Sequence, residues 1–189
     1  MDSSVLTIIV AVVLLAIVVA VVVGVFIPKQ RSKKLREQFG PEYDHMVNEA
    51  EGRYEAEAEL EARRERVKAF EIHPLSLNEC DRFAAEWQST QAHFVDEPIE
   101  AVVQADQLVD EVMKARGYPV ADFEQRAADV SVDHAEVVTN YRAAHDIALK
   151  NERGEADTED LRQAMVHYRA LFEDLLDVQE DITKHKEKV

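Results

Sequence analysis

Two stretches of the sequence place tyrosine, arginine and histidine next to one another, and these side chains could bind anions or move protons. Tyr141–His145 contains one set, and a second set follows with its tyrosine 27 residues later. If the two helices that carry them pack antiparallel, the sets predict a polar pocket between helices. The candidate pocket residues are Tyr141, Arg142, His145, His167, Tyr168 and Arg169. The alternative interpretation is that the tyrosines pack in a core with bonded hydroxyls, while the arginines reach solvent.

The remaining chemistry-bearing residues lack the spacing of a metal or catalytic site. A bundle di-metal site needs a Glu-x-x-His motif on each of two helices, and Glu42–His45 provides one. Cys80 is the single cysteine, so it has no partner for zinc or for an intramolecular disulfide. Phosphate loops, nucleophile elbows and His-Glu-x-x-His are also missing. The sequence therefore predicts no cofactor, no metal and no catalytic residue.

The charge distribution narrows the class of partner. The net charge is −16, and five basic residues stand against two acidic ones before position 41. The rest of the chain therefore holds 17 basic and 36 acidic residues. A surface this negative repels nucleic acid and anionic lipid, so we predict no nucleic-acid binding. Solubility accounts for such charge, and a cationic protein partner is the sharper hypothesis.

An uncharged run of 23 residues, Val5–Ile27, opens the chain. As a helix it would be about 35 Å long, enough to cross a hydrocarbon core of about 30 Å. A cleaved signal peptide would have a basic start and a shorter apolar region, and Met1–Ser4 contains no basic residue. We therefore predict a retained single-pass anchor over residues 1–28.

The flanks of this run predict its orientation and its contacts. Because positive flanks stay inside the cell, we expect the N-terminus outside and the soluble domain in the cytoplasm. The predicted contacts with anionic lipid headgroups are Lys29, Arg31, Lys33, Lys34 and Arg36. Small residues at four-residue spacing share one face of the run and predict a membrane dimer face: Ala16, Ala20 and Gly24.

Beyond the anchor the pattern predicts an all-α fold: a soluble antiparallel bundle of four to five helices with short loops. Residues 29–41 are expected to form a basic juxtamembrane linker that ends at a Gly-Pro break. Residues 42–72 read as one long charged helix, either a solvated stalk or coiled coil, or a bundle helix with a narrow buried stripe. Residues 73–189 are predicted to be the bundle.

Local signals place the bundle helices. Ser76 and Glu79 have the spacing of a capping box, and Gly117 is placed to end a helix. Thr158 begins the last helix, whose apolar residues alternate at spacings of three and four. These seam residues are Leu161, Met165, Tyr168, Phe172, Leu175 and Ile182.

Four motifs resemble those of a group of bacterial single-pass membrane-anchored helical proteins to which no activity is assigned: Phe39–Asp44, Phe94–Pro98, Arg116–Pro119 and Arg126–His134. The resemblance implies the anchored architecture and carries no function. Three hypotheses follow from the residues. The first is a membrane-tethered cytoplasmic interaction or adaptor module. The second is an enzyme or small-molecule binder that uses the Tyr/Arg/His pocket. The third is a structural homo-oligomer joined through the anchor and the long charged helix.

Overall fold

The computed structural model of the chain describes residues 11–16 and 27–177. Residues 11–16 are helical, but the rest of the predicted anchor up to residue 26 lies outside the described residues, as do Ala20 and Gly24 of the predicted dimer face. None of the helices in the described ranges is both long and apolar enough to cross a bilayer. The anchor and its dimer face therefore stay predictions.

All regular structure in the described residues is helical, which confirms the all-α class. After the 11–16 segment the helices are α1 Ile27–Glu49, α2 Arg53–Val67, α3 Leu77–His93, α4 Pro98–Ala115, α5 Phe123–Val130, α6 Ala135–Glu152 and α7 Thr158–Asp177.

Four of these helices, α3, α4, α6 and α7, surround the main hydrophobic core. Trp87 of α3 stacks on Phe172 of α7 with ring centroids 4.8 Å apart. Every described residue of the predicted α7 seam is buried, from Leu161 to Leu175. Ile182 lies outside the described residues. The heptad-like spacing therefore predicted the buried face of this helix correctly.

The bundle departs from a purely antiparallel arrangement at α4 and α7. Tyr168 of α7 bonds to Asp106 of α4, and Arg116 just after α4 bonds to the carbonyl of Leu175 near the end of α7. The two helices therefore run parallel and pack extensively. Helix α7 is thus the main neighbour of α4, and α6 reaches α4 through the hydrogen bond of Tyr141 to Asp110.

Helices α1 and α2 form a hairpin with a second, smaller core. Residues 29–41, predicted to be a linker, are instead helical and belong to α1. The Gly-Pro break is present only as a kink, because Gly40 adopts φ 45° and ψ −124° and the helix resumes at once. Leu35, Phe39 and Tyr43 are buried on both sides of this kink. The apolar residues of the segment were enough to fold it against α2.

The prediction of one helix over residues 42–72 is wrong. Helix α1 ends at Glu49, and α2 begins after Gly52, which has extended backbone angles of φ −178° and ψ 162°. Helix α2 buries a narrow stripe made of Ala56, Glu57, Leu60, Arg63 and Val67. The bundle-helix interpretation therefore fits better than a stalk solvated on most faces.

The turn after α4 depends on Gly117. Its φ is +95°, and a β-carbon there would lie 2.4 Å from the backbone oxygen of Glu71. The segment after α2 packs directly on this turn, where the amide of His73 donates to the carbonyl of Arg116 at 3.0 Å. A side chain at position 117 must therefore displace backbone.

We expect Gly117→Ala to destabilise the fold more than Gly154→Ala, because Gly154 has φ +69° but open space around it. Gly154→Ala should lower the free energy of unfolding by roughly 1–2 kcal/mol, the cost of placing an L-residue in the left-handed region. Gly117→Ala has the same cost and adds the collision of its β-carbon with the backbone oxygen of Glu71. The measurement is urea unfolding of the detergent-solubilised protein, followed by fluorescence of Trp87, the single tryptophan. Equal losses for the two variants would contradict the close approach.

Candidate functional site

The six predicted pocket residues go to different places in the structure. Tyr141 and Tyr168 are fully buried and lie in one polar cluster. Arg142 points instead to α1 and α5. His145 stacks on Phe123 with ring centroids 3.5 Å apart, and His167 bonds to Asn140 at 2.8 Å. Arg169 pairs with Glu173 on an exposed stretch of α7. The two tyrosines are therefore brought together, and the arginines and histidines are not.

The cluster around the tyrosines is built on two carboxylates of α4. The Tyr168 hydroxyl donates to Oδ1 of Asp106 at 2.9 Å, and the Tyr141 hydroxyl donates to Oδ1 of Asp110 at 3.3 Å. Arg126 of α5 donates from Nε to the Tyr141 oxygen at 3.2 Å, and its Nη1 lies 3.0 Å from Oδ2 of Asp110. We call these five residues the Asp–Tyr cluster. It joins α4 to α5, α6 and α7.

Burial controls the protonation of this cluster. It raises the pKa of Tyr141 and of Tyr168, and the nearby aspartates raise both further, so the hydroxyls stay protonated donors. Burial also raises the pKa of Asp110, against the lowering effect of Arg126. The adjacent Asp106 raises it as well, because two negative charges lie one helical turn apart.

A small pocket of about 110 Å³ opens beside Asp110 and Arg126. Its wall continues along the end of α4 and into the turn that follows: Glu111, Met113, Lys114, Tyr118, Pro119 and Val120. The lining therefore combines acidic and basic side chains with the apolar side chains of Met113 and Val120. The pocket is large enough for a few waters or a small polar molecule, and it contains hydrogen-bond donors and acceptors rather than an activated nucleophile.

A second cluster joins the hairpin to the bundle and is centred on Glu42, whose side chain is fully buried. Arg63 of α2 donates from Nη1 to its Oε1 at 2.8 Å, and Arg142 of α6 donates from Nη2 to the same oxygen at 2.9 Å. Arg142 also pairs with Glu124 of α5 at 2.9 Å. Two guanidinium groups therefore neutralise one buried carboxylate at the meeting point of three helices.

A third cluster closes the far end of the bundle. Arg116, buried to 3% exposure, donates from Nη1 to the carbonyl of Leu175 at 2.9 Å and contacts Nε2 of His134 at 3.4 Å. Nδ1 of the same imidazole forms a short hydrogen bond with Oδ2 of Asp174. The arginine thereby joins the turn after α4 to a backbone carbonyl of α7.

The basic residues predicted to contact lipid lie along the first half of α1. Arg31 pairs with Glu61 of α2, Lys33 with Glu37, and Arg36 with Asp44. Lys29 and Lys34 are exposed. Arg36 also lies over the ring of Tyr43, 4.9 Å from its centroid. Lys29, Lys33, Lys34 and Arg36 are thus the exposed cations of this segment, and Arg31 is half-buried.

Within residues 11–16 and 27–177, the His, Cys, Asp and Glu side chains form no group of three or more that could hold a metal ion. Cys80 is half-buried, and burial raises the pKa of its thiol, which disfavours a reactive thiolate. The three clusters are therefore suited to holding helices together and to hydrogen bonding.

Comparison of the chain with protein-family models, with curated proteins and with solved structures finds no match in any of the three.

Sequence reasoning missed Asp106, Asp110 and Glu42. The two aspartates are one helical turn apart on α4, at positions beside its apolar stripe, and this spacing was the available signal. Glu42 was noted only in the Glu-x-x-His motif and in the Phe39–Asp44 motif, because its partners are 21 and 100 residues away. A single sequence does not show which arginine pairs with a carboxylate at that separation.

We expect Glu42→Gln to lower the free energy of unfolding by roughly 3–5 kcal/mol, the usual cost of removing one partner from a buried ion pair. The variant leaves Arg63 and Arg142 with less compensation inside the protein. Glu124→Gln is the matched control, because it removes an exposed partner of Arg142 and should cost about 0–1 kcal/mol. Urea unfolding of both variants tests this, and similar losses would mean that the burial of Glu42 contributes little.

The raised pKa of Asp110 predicts a pH dependence. Between the ordinary value of 3.8 and the higher folded value, the folded protein holds a proton that the unfolded chain has released. The contribution of Asp110 to stability therefore falls as pH rises through this window. Wild type should lose stability relative to Asp110→Asn as the pH rises above about 4, measured by urea unfolding. A relative gain by wild type over that range would show that the Arg126 pair outweighs burial.

Proposed function

We propose that this protein is a membrane-tethered interaction module whose helical domain lies in the cytoplasm and presents a binding face to another protein. The observation that supports this most is the outer face of α4. Ile99 and Val103 on this helix are 60% and 37% exposed, and Val95 in the turn before it is 82% exposed. Exposed apolar groups that fall together, rather than singly, are typical of interaction sites.

The interior of the domain supports the same proposal. The carboxylates, arginines and tyrosines of the three clusters hold the helices together through hydrogen bonds to one another and to the carbonyl of Leu175, while Nε of Arg116 is buried without a hydrogen-bond partner. Of the arginines in the described ranges, all except Arg116 lie within ion-pair distance of a carboxylate. The exposed charged side chains that are not in these ion pairs are mainly acidic, which suits a cationic partner.

The tether rests on the uncharged run Val5–Ile27 and on the basic residues that follow it. Because α1 continues those basic residues directly into the hairpin, a membrane-embedded run would hold the domain close to the inner surface of the membrane. The exposed Lys29 and Lys34 would then face anionic headgroups, at about 1 kcal/mol for each basic residue near the surface.

A second candidate function is small-molecule binding at the pocket beside Asp110. It is favoured by the 110 Å³ volume and by the opposite charges of Asp110 and Arg126. It modifies the hypothesis of a Tyr/Arg/His pocket. Tyr141 and Tyr168 remain in the polar cluster, and Asp106 and Asp110 are their partners instead of the predicted histidines. A ligand found by thermal shift should lose its effect in Asp110→Asn, and a shift that persists in that variant would place the ligand elsewhere.

The homo-oligomer hypothesis loses part of its basis, because the apolar stripe of α2 is buried inside the chain. A contact between anchors through Ala16, Ala20 and Gly24 remains a proposal. Crosslinking of the full-length protein in membranes tests it, and recovery of monomer alone would remove it.

The orientation predicts which cysteine variants react with a membrane-impermeant maleimide. In a Cys80→Ser background, Ser4→Cys should react in intact cells or spheroplasts, and Val95→Cys should react only after lysis. Val95 is 82% exposed, so its variant is reactive once the reagent reaches it. Labelling of Val95→Cys in intact cells, or a mature protein that begins after residue 28, would overturn the proposed topology.

A further inference from the structure

The segment around α4 is strongly acidic. The twenty residues from Phe94 to Met113 contain six acidic residues and no lysine or arginine. The acidic residues are Asp96, Glu97, Glu100, Asp106, Asp110 and Glu111. Asp110 pairs with Arg126, and Glu97 lies near His93. Asp96, Glu100 and Glu111 are exposed. The stretch therefore carries a net negative charge that attracts cations, and the pocket at its end adds the basic side chains of Lys114 and Arg126.

Apolar side chains lie among these charges at helical spacing. Ile99 and Val103 are one turn apart on α4, and Val95 precedes them in the turn that joins α3 to α4. Residues four apart lie on one face of a helix, so Ile99 and Val103 form a short apolar line. Asp106 and Asp110 continue the same side of the helix at seven and eleven residues after Ile99.

The same side of α4 ends at the pocket beside Asp110. Val120, which is 78% exposed, lines that pocket together with Met113. The face thus follows α4 over its 18 residues, or about 27 Å at 1.5 Å per residue. We call the surface formed by Val95, Ile99, Val103, Asp106, Asp110 and Val120, with the acidic residues beside it, the α4 face.

Building on the proposed interaction function, we propose that the α4 face binds a basic amphipathic helix of a partner protein. The length matches a helix of four to five turns, whose apolar residues at three- and four-residue spacing would cover Ile99 and Val103. Lysines and arginines on both sides of that apolar stripe would lie beside Glu100, Glu111 and the rim of the pocket. Charge complementarity selects this occupant over the alternatives.

Other occupants fit the charges less well. Nucleic acid and anionic lipid carry the same sign as the α4 face and would be repelled. A second copy of the chain that used this face symmetrically would bring acidic residues against acidic residues. The paired arginines of α1 are already engaged, since Arg31 bonds to Glu61 and Arg36 to Asp44. A basic helix of another protein carries the opposite charge to the α4 face, so none of these arguments excludes it.

The first experiment measures binding to the full-length protein in nanodiscs of uncharged lipid, which keeps cationic peptides off the bilayer. The probe is a fluorescent 18-residue helix with leucines on one face and lysines and arginines on the other. A scrambled peptide of the same composition serves as the charge control. We expect the amphipathic peptide to bind more tightly than the scrambled one, with an affinity that falls as salt is added.

Variants locate the binding site. Ile99→Ser with Val103→Ser should weaken the amphipathic peptide about tenfold or more, and Glu97→Gln with Glu100→Gln should also flatten its salt dependence. Leu77→Ser with Asp81→Asn is the matched control at the other end of the α3–α4 hairpin, where both residues are exposed. Equal binding of the two peptides, or equal effects of control and α4-face variants, would overturn the proposal.

The second experiment separates this inference from the general proposal. A photo-crosslinking residue is placed at Val103 and, in separate variants, at the exposed positions Tyr54, Leu77 and Leu149 of the full chain in cells. A crosslink at Val103 that maps to a basic helical segment supports the α4 face. A crosslink at another position alone, or to a segment that is not basic, overturns this inference and leaves an interaction function. Crosslinks at none of the positions would contradict both.

Discussion

The buried carboxylate of Glu42 is the interaction on which the arrangement of the domain depends. It lies in α1, whose first half carries the basic residues, and its partners come from α2 and α6. A carboxylate removed from water is tolerable only when its charge is neutralised and its oxygens accept hydrogen bonds. Two guanidinium groups supply both. Without them the hairpin would be joined to the bundle mainly by the smaller core around Phe39 and Leu60 and by the pair of Arg66 with Asp129.

The second constraint is the parallel contact between α4 and α7. It brings Asp106 and Asp110 beside Tyr168 and Tyr141, at the border between the core and the exposed side of α4. The polar interior and the exposed α4 face therefore have the same origin. One side of α4 satisfies its carboxylates with tyrosine hydroxyls and Arg126, while Glu100 and Glu111 face outward. Because arginines elsewhere are largely engaged in ion pairs, the exposed surface keeps the acidity that the composition indicated.

The helical class, the capping box at Ser76 and the buried seam of α7 could be predicted from the sequence, since each depends on residues within one or two turns of each other. The predicted pocket could not be lined by both Tyr141 and Arg142, because neighbouring residues on a helix point about 100° apart. They therefore face different elements, as do His167, Tyr168 and Arg169. The break between α1 and α2 was missed because the residues around Glu55 are strong helix formers. They concealed the turn at Gly52 that allows α1 and α2 to pair.

The continuity of α1 with the hairpin has a consequence for how far the domain can reach. A flexible linker of twelve residues would let it wander over about 19 Å in any direction, whereas twelve helical residues form a rod of about 18 Å with one preferred height. If residue 28 marks the bilayer boundary as proposed, the domain works as a fixed-height platform that searches by sliding within the membrane plane. Partners that carry their recognition element at a different distance from that plane would be excluded by geometry, whatever their charge.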